Sequence, residues 1–341
     1  MRELFDQLRE KIKAGEDTAL VTIVADAGSA PRGSGARMLV GAGGRIAGTI
    51  GGGAVEHESI RIAQEAIRGQ RNTEQHFMLS RNDVADIGMI CGGNVDVFFR
   101  YISAGDRVVT ELTEALDALY EQRKPCRLIM EMTSSADAAI GIRCDTGETF
   151  GSRFPEEVYN IAGNKPVKTE YEGRKYYIEN LIRGGRVYIF GGGHVAQQLV
   201  PVLTRCDFSC VVVEDREDFA DPVLFGSLAE TICLPVDKIA ELIPRITEDD
   251  YVCIMTRGHQ NDYRALYEML RTPACYIGVI GSRSKISATQ KRLTEDGYTE
   301  KDIARITAPI GLDIRSETPA EIAVSIAAQL ILVRAKKEDN R

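Results

Sequence analysis

No apolar run in the 341 residues approaches the roughly 18 needed to span a bilayer. The start lacks the basic, apolar, small-residue succession of a secretory signal, so a cytoplasmic location with no membrane partner is expected. The eight cysteines, at 91, 126, 144, 206, 210, 233, 253 and 275, form no C-x-x-C pair and no Cys/His set at zinc spacing. Neither a disulfide framework nor structural zinc is expected in a chain kept reduced. A basic excess is missing too: 42 Lys and Arg against 50 Asp and Glu give a formal charge of -8, with both signs mixed along the chain. That balance argues against nucleic acid as a partner. Internal repeats and low-complexity tracts are absent. What remains is a globular chain long enough for two domains, each with its own core.

The most informative stretch is Val187 to Ala196, which reads as a buried strand, a glycine turn and a helix start. Gly191 permits the tight turn, Gly193 lets backbone approach a ligand, and Ala196 keeps helix and sheet close, as G-x-G-x-x-A spacing requires. An anion fits that helix N-terminus. A second strand, Ser209 to Val213, ends in Glu214 and Asp215, where a ribose-binding carboxylate belongs. Strands at 186–190, 209–213, 230–234, 251–256 and 275–280 alternate with helical segments, which predicts a Rossmann-like parallel sheet. Thr318-Pro319-Ala320-Glu321 announces a last helix with a capping box. The domain boundary is placed at 182–185, giving a domain over 1–182 and another over 183–341.

The first half reads as mixed α/β. Leu4, Phe5, Leu8 and Ile12 recur at helical spacing, and strands are expected over 19–25, 36–40, 45–49 and 95–101. A helix carrying Ile60, Ala63 and Ile67 stops near Gly69, and another runs over 107–122. Paired strands are expected at 126–132 and 138–143, an irregular stretch at 154–173, and a closing strand at 176–179.

Residues just past the strands of an open parallel sheet are the natural ligand contacts. Those are Gly191, Gly193 and His194; Arg257 and His259; and Ser282, Arg283 and Lys285, whose hydroxyl, guanidinium and ammonium suit a phosphate. The two histidines read equally as turn or loop hydrogen-bonders. Three glycine-laden segments stand in the first half: Gly28 to Met38, Gly48 to His57, and Gly88 to Gly93. Arg32 and Arg37 supply charged donors, and Gly51, Gly52 and Gly53 lead into a helix whose Glu56 either meets a ligand or complements the dipole. Cys126, Cys210, Cys253 and Cys275 fall inside apolar strands and read as core. Cys91, followed by Gly92 and Gly93, reads as an accessible thiolate, a nucleophile, sulfur carrier or metal ligand, or else as a buried turn cysteine.

These motifs together resemble the xanthine dehydrogenase accessory factor family, the XdhC and CoxI proteins. The resemblance rests on Gly28 to Arg32, Gly48 to Glu56, Gly88 to Gly93, Ile189 to Ala196, Thr256 to His259, Ile280 to Lys285, Ala308 to Ile314, and Thr318 to Ala323. It implies an accessory protein without catalytic turnover of its own. Such a protein holds the molybdenum cofactor (Mo-molybdopterin) as cargo during sulfuration and passes it to a xanthine dehydrogenase-type molybdenum hydroxylase of purine catabolism. A cysteine desulfurase and a second copy of the chain are the further partners it implies. Ala54 stands where some relatives carry cysteine, leaving Cys91 as the motif thiol and the candidate contact to molybdenum. The alternative from the fingerprint alone is an NAD(P)-dependent oxidoreductase, to which Glu214 with Asp215 would be equally suited.

Overall fold

A computed structural model describes residues 2–28, 32–78, 93–122, 124–161, 163, 165–182, 185–281 and 283–339, the side chains of 283–285 and 338–339 excepted. The chain divides into two compact units between residues 183 and 184.

The N-terminal unit holds two antiparallel sheets. The first contains β1 (Thr18–Ala27), β2 (Arg37–Gly41), β3 (Gly44–Thr49), β4 (Thr73–Met78) and β5 (Asn94–Ile102), in the order β3-β2-β1-β5-β4. The second contains β6 (Cys126–Glu131), β7 (Ile140–Cys144), β8 (Thr149–Gly151), β9 (Val167–Tyr171) and β10 (Arg174–Ile182), in the order β8-β7-β6-β10-β9. β1 is apolar at nearly every position because both its faces are covered. Ala19, Val21 and Ile23 pack with Ala63 and Ala66 of the helix Gly53–Gly69. Leu20 and Val24 share a core with Leu128, Met130 and Tyr177 of the second sheet, and with Leu4, Leu8, Leu112 and Leu116 of the helices Arg2–Lys13 and Arg107–Gln122.

Two expectations are corrected here. The stretch 154–173 is not irregular: it forms the helix Glu156–Ile161 and the strand β9. β4, with the sequence Thr-Glu-Gln-His-Phe-Met, has no strand expected over it. Both strands lie at sheet edges, where one neighbour suffices and polar residues cost little; β4 shows no alternation of a half-buried strand, and in β9 only Val167 and Tyr171 of its five residues are strongly apolar, packing on the core cluster of Tyr176 and Ile178.

The C-terminal unit is a six-stranded sheet of β11 (Arg186–Phe190), β12 (Ser209–Glu214), β13 (Ala229–Cys233), β14 (Tyr251–Ile254), β15 (Tyr276–Val279) and β16 (Ile306–Thr307). Every pairing is parallel and the order is β13-β12-β11-β14-β15-β16. This is the 3-2-1-4-5-6 order of a Rossmann sheet. Val187, Ile189, Cys210, Val212 and Cys253 face the helices His194–Arg205 and Pro319–Asp339, while Tyr188, Phe190, Val211, Val252 and Ile254 face the helix His259–Met269. The last helix opens with the expected box. Glu321 accepts the Thr318 and Glu317 N–H groups at 3.1 and 2.8 Å, and Thr318 Oγ1 accepts the Glu321 N–H at 3.3 Å.

Candidate functional site

Strand register brings the described parts of the first two glycine-laden segments, 32–38 and 48–57, to one end of the first sheet, while 79–92, with all of the third segment but Gly93, lies outside the described residues. Ala27 pairs with Asn94 and Asn94 with Met78, while Thr22 pairs with Arg37 and Arg37 with Thr49. The C-terminal ends of β1, β3 and β4 and the starts of β2 and β5 therefore all lie at the same end of the first sheet. Sequence distance hides this; antiparallel pairing creates it. Of the residues singled out there, Arg32 is exposed, Gly51 and Gly52 are half-buried, and Gly53 is exposed. Cys91 and Gly92 lie outside the described residues, and Gly93 begins the return into β5.

This end is braced by carboxylates. Glu56 Oε2 accepts the Ile50 and Gly52 N–H groups at 3.0 Å each and the Thr49 hydroxyl at 2.5 Å, and Oε1 accepts Arg45 Nη1 at 2.9 Å. Burial alone would raise this carboxyl, but the Thr49, Gly52, Ile50 and Arg45 donors outweigh it and hold the pKa below the ordinary glutamate value. Glu56 thus holds its own glycine turn. Asp26 does the same for the first segment, accepting the Ser34 N–H at 2.7 Å and hydroxyl at 2.5 Å. Arg37 is committed as well: it pairs with Glu179 of β10, both side chains almost wholly buried, while its Nε donates to Thr22 Oγ1 at 3.2 Å. Tyr177 donates to the same Glu179 carboxylate at 2.9 Å.

A second polar group lies near this end. His76 Nδ1 is 2.6 Å from Asp96 Oδ1, and Lys168 of β9 donates to Asp96 Oδ2 at 2.7 Å and to Glu74. Burial opposes ionisation of Asp96, yet the His76 and Lys168 contacts prevail and lower its pKa. Nothing in the sequence announces this group, because an edge strand so polar has no period to read.

In the C-terminal unit the expected residues gather at the carboxyl ends of adjacent strands. Strand order reverses between β11 and β14, and there the chain past β11 meets the chain past β14. A Cβ on Gly191 would lie 2.3 Å from the Met255 carbonyl oxygen, and its φ is 111°, so only glycine fits. Gly193 heads the helix His194–Arg205 and Gly258 heads the helix His259–Met269, and neither helix has a side-chain cap. Their first N–H groups are left for an anion or water. His194, Arg257 and His259 are exposed beside them. Asp262 holds the second turn by accepting the Thr256 N–H at 2.8 Å and hydroxyl at 2.6 Å. Behind His259 lies a small cleft lined by Asp262, Tyr263, Ile280, Gln290 and Ala308. Past β15, Arg283 and Lys285 occupy the first turn of the helix Arg283–Glu295, and Ser282 lies outside the described residues.

At the end of β12 the two acidic residues differ. Asp215 is exposed, whereas Glu214 is buried and tied to Gly192, Asp215 and Arg216. Burial works against its charge, but Arg216, Asp215 and Gly192 overcome it and pull the pKa down to about 2. Arg216 is not among the expected site residues, though its place two positions past the strand-end acid is visible in the sequence. Among the described residues no three His, Cys, Asp or Glu side chains are grouped to hold a metal ion, and no helix is long and apolar enough to cross a membrane.

Comparison with known proteins gives a consistent result. The chain matches the XdhC and CoxI family over residues 12–96 and the XdhC Rossmann domain over residues 187–330. It is 26% identical over 329 residues to a probable xanthine dehydrogenase subunit of Bacillus subtilis (strain 168), covering 94% of each chain. It is 21% identical to the molybdenum cofactor insertion chaperone PaoD of Escherichia coli (strain K12), covering 97% of this chain and 88% of that protein. A further relative, the uncharacterized protein YqeB of Escherichia coli (strain K12), is 26% identical over 93% of this chain, which spans only 43% of YqeB. A crystal structure described as a xanthine dehydrogenase from Bacillus halodurans superposes with a TM-score of 0.75 at 25% identity, covering 97% of this chain and 96% of that one.

Proposed function

This chain belongs to the XdhC and CoxI family, and from that premise we propose that it is an accessory protein in the maturation of a xanthine dehydrogenase-type molybdenum hydroxylase. It carries the molybdenum cofactor as cargo, holds it while a cysteine desulfurase supplies the terminal sulfur, and hands it to the apo-hydroxylase. The kinship with a molybdenum cofactor insertion chaperone supports this reading. So does the observation that carries it, the meeting of the described parts of two glycine-laden segments at the end of the first sheet where β4 stops and β5 begins.

The chemistry of the cargo divides the labour. Its phosphate asks for hard cations and free N–H groups, which Arg257, Arg283, Lys285 and the helices headed by Gly193 and Gly258 offer. Its metal end suits a soft thiolate, the role proposed for Cys91, with Arg32 as a further cation of the same unit. Asp26 acts one step back, holding Ser34 two positions past Arg32, and Glu56 holds the turn that leads into Gly53.

The test is anoxic incubation with released cofactor, followed by gel filtration and by activation of the client hydroxylase. The protein is expected to elute as a homodimer retaining molybdenum and pterin. Cys91→Ala is expected to retain pterin yet activate the client poorly. Arg283→Ala with Lys285→Ala is expected to retain less pterin than the wild type, with the deficit largest at low salt and narrowing as salt rises, because the lost attraction is one that salt screens. Elution free of molybdenum and pterin rejects the cargo role, and full client activation by Cys91→Ala rejects the thiol assignment.

A further inference from the structure

A Rossmann sheet ordinarily binds the adenosine ribose of a dinucleotide through an acidic side chain at the end of its second strand. Here that position is Glu214, the last residue of β12, whose acceptor capacity is already used; the exposed Asp215 lies one position past the strand, with its carboxylate 3.9 Å from Arg216 Nε. A carboxylate offers about four lone-pair sites on its two oxygens. Oε1 accepts the Asp215 N–H at 3.2 Å and Arg216 Nε at 2.9 Å; Oε2 accepts the Gly192 N–H at 2.9 Å and Arg216 Nη2 at 3.0 Å. The Arg216 pair is bidentate, the geometry that makes such contacts strong. The Glu214 side chain is only 3% exposed.

Two further contacts hold Arg216 in place. Its guanidinium carbon stands 3.9 Å over the Phe219 ring centroid, a cation–π stack. The segment bearing Phe219 is itself pressed onto the glycine turn, since a Cβ on Gly192 would come within 2.1 Å of the Phe219 carbonyl oxygen. The turn, the acid, the arginine and the ring form one closed cluster over the place of a ribose.

We infer that Arg216 is a specificity-determining residue: by saturating Glu214 it closes the subsite for a ribose diol, so the crevice takes a phosphate-bearing ligand without a ribose diol at this position and rejects NAD. The N–H groups at Gly193 and beyond lie outside the cluster and remain open to phosphate. Glu214 is thereby a brace for the glycine turn, as Glu56 is in the other unit. The inference stands on the sheet alone and does not depend on the cargo reading.

The test is NADH binding to the full chain, read by nucleotide fluorescence, for the wild type, Arg216→Ala and Arg216→Met. Methionine keeps most of the contact with Phe219 while removing every donor. The wild type is expected to bind more weakly than about 0.1 mM, within the range of ordinary substrate affinities. Either variant, once its circular dichroism matches the wild type, should gain about tenfold, the worth of one charge-assisted hydrogen bond regained by the ribose. Wild-type binding tighter than that threshold overturns the inference, and so does a folded variant with no gain. Loss of molybdenum cofactor retention would leave this result untouched, so the two readings fail separately.

Discussion

At the scale of single residues, the recurring device is a buried or half-buried acid holding a glycine turn. Glu56, Glu214 and Asp262 each accept backbone N–H groups from the turn they serve. Glycine is needed where backbone runs close or φ is positive, but it leaves the turn loose, and a carboxylate restores the order at the cost of its own desolvation. Glu56→Ala strands three donors and the Arg45 charge, so a loss of about 2 kcal/mol is expected, against about 1 kcal/mol for Glu56→Gln, which keeps an acceptor. Chemical denaturation at neutral pH measures both. The pH dependence has a definite sign. Because the folded pKa of Glu56 is depressed, its contribution is fully present above the ordinary glutamate value of about 4.3 and is lost as pH falls through the depressed one. The gap between wild type and Glu56→Gln should therefore narrow in acid; a gap that widens there contradicts the assignment.

At the scale of elements, the ion pair of Arg37 in β2 with Glu179 in β10 ties the first sheet to the second under the first glycine segment. Both partners are out of water, so removing one leaves an uncompensated buried charge, and Glu179→Ala should cost about 3 to 5 kcal/mol. Replacing both, Arg37→Met with Glu179→Leu, should cost markedly less. Equal losses in calorimetry would show that the pair contributes through its attraction rather than by mutual neutralisation. The same elements show what the sequence makes legible. β1, β11 and β12 announce themselves because burial on both faces demands unbroken apolar runs. β4 and β9 do not, since an edge strand satisfies its backbone with one neighbour and leaves its side chains to other work. Arg37 reads as a ligand donor in the sequence because its charge is visible and its partner, 142 positions away by 179 minus 37, is not.

At the scale of the whole molecule, each unit encloses its own hydrophobic clusters: those of the first run from Leu4 to Ile182, those of the second from Val187 to Val333. The candidate site is legible in the same proportions. In the C-terminal unit, strand-end residues follow from the alternation of strand and helix, so the motifs past β11, β14 and β15 can be placed together from sequence. In the N-terminal unit, the shared end depends on antiparallel register over the span 18–102, and no local pattern carries that. A self-contained core predicts a self-contained fold. Residues 185–339, expressed alone, should unfold in a single cooperative transition, because the six-stranded sheet is covered by helices on both faces without any residue of the first unit. If the binding of phosphate-bearing ligand is a property of this sheet, such a ligand at 100 times its Kd should stabilise the fragment by about 2.7 kcal/mol. Calorimetry with and without the cofactor's pterin phosphate moiety measures the shift. A broad, non-cooperative transition would mean that the fold of this half depends on the other, and a cooperative one that the ligand leaves unmoved would place the phosphate contact at the end of the first sheet instead.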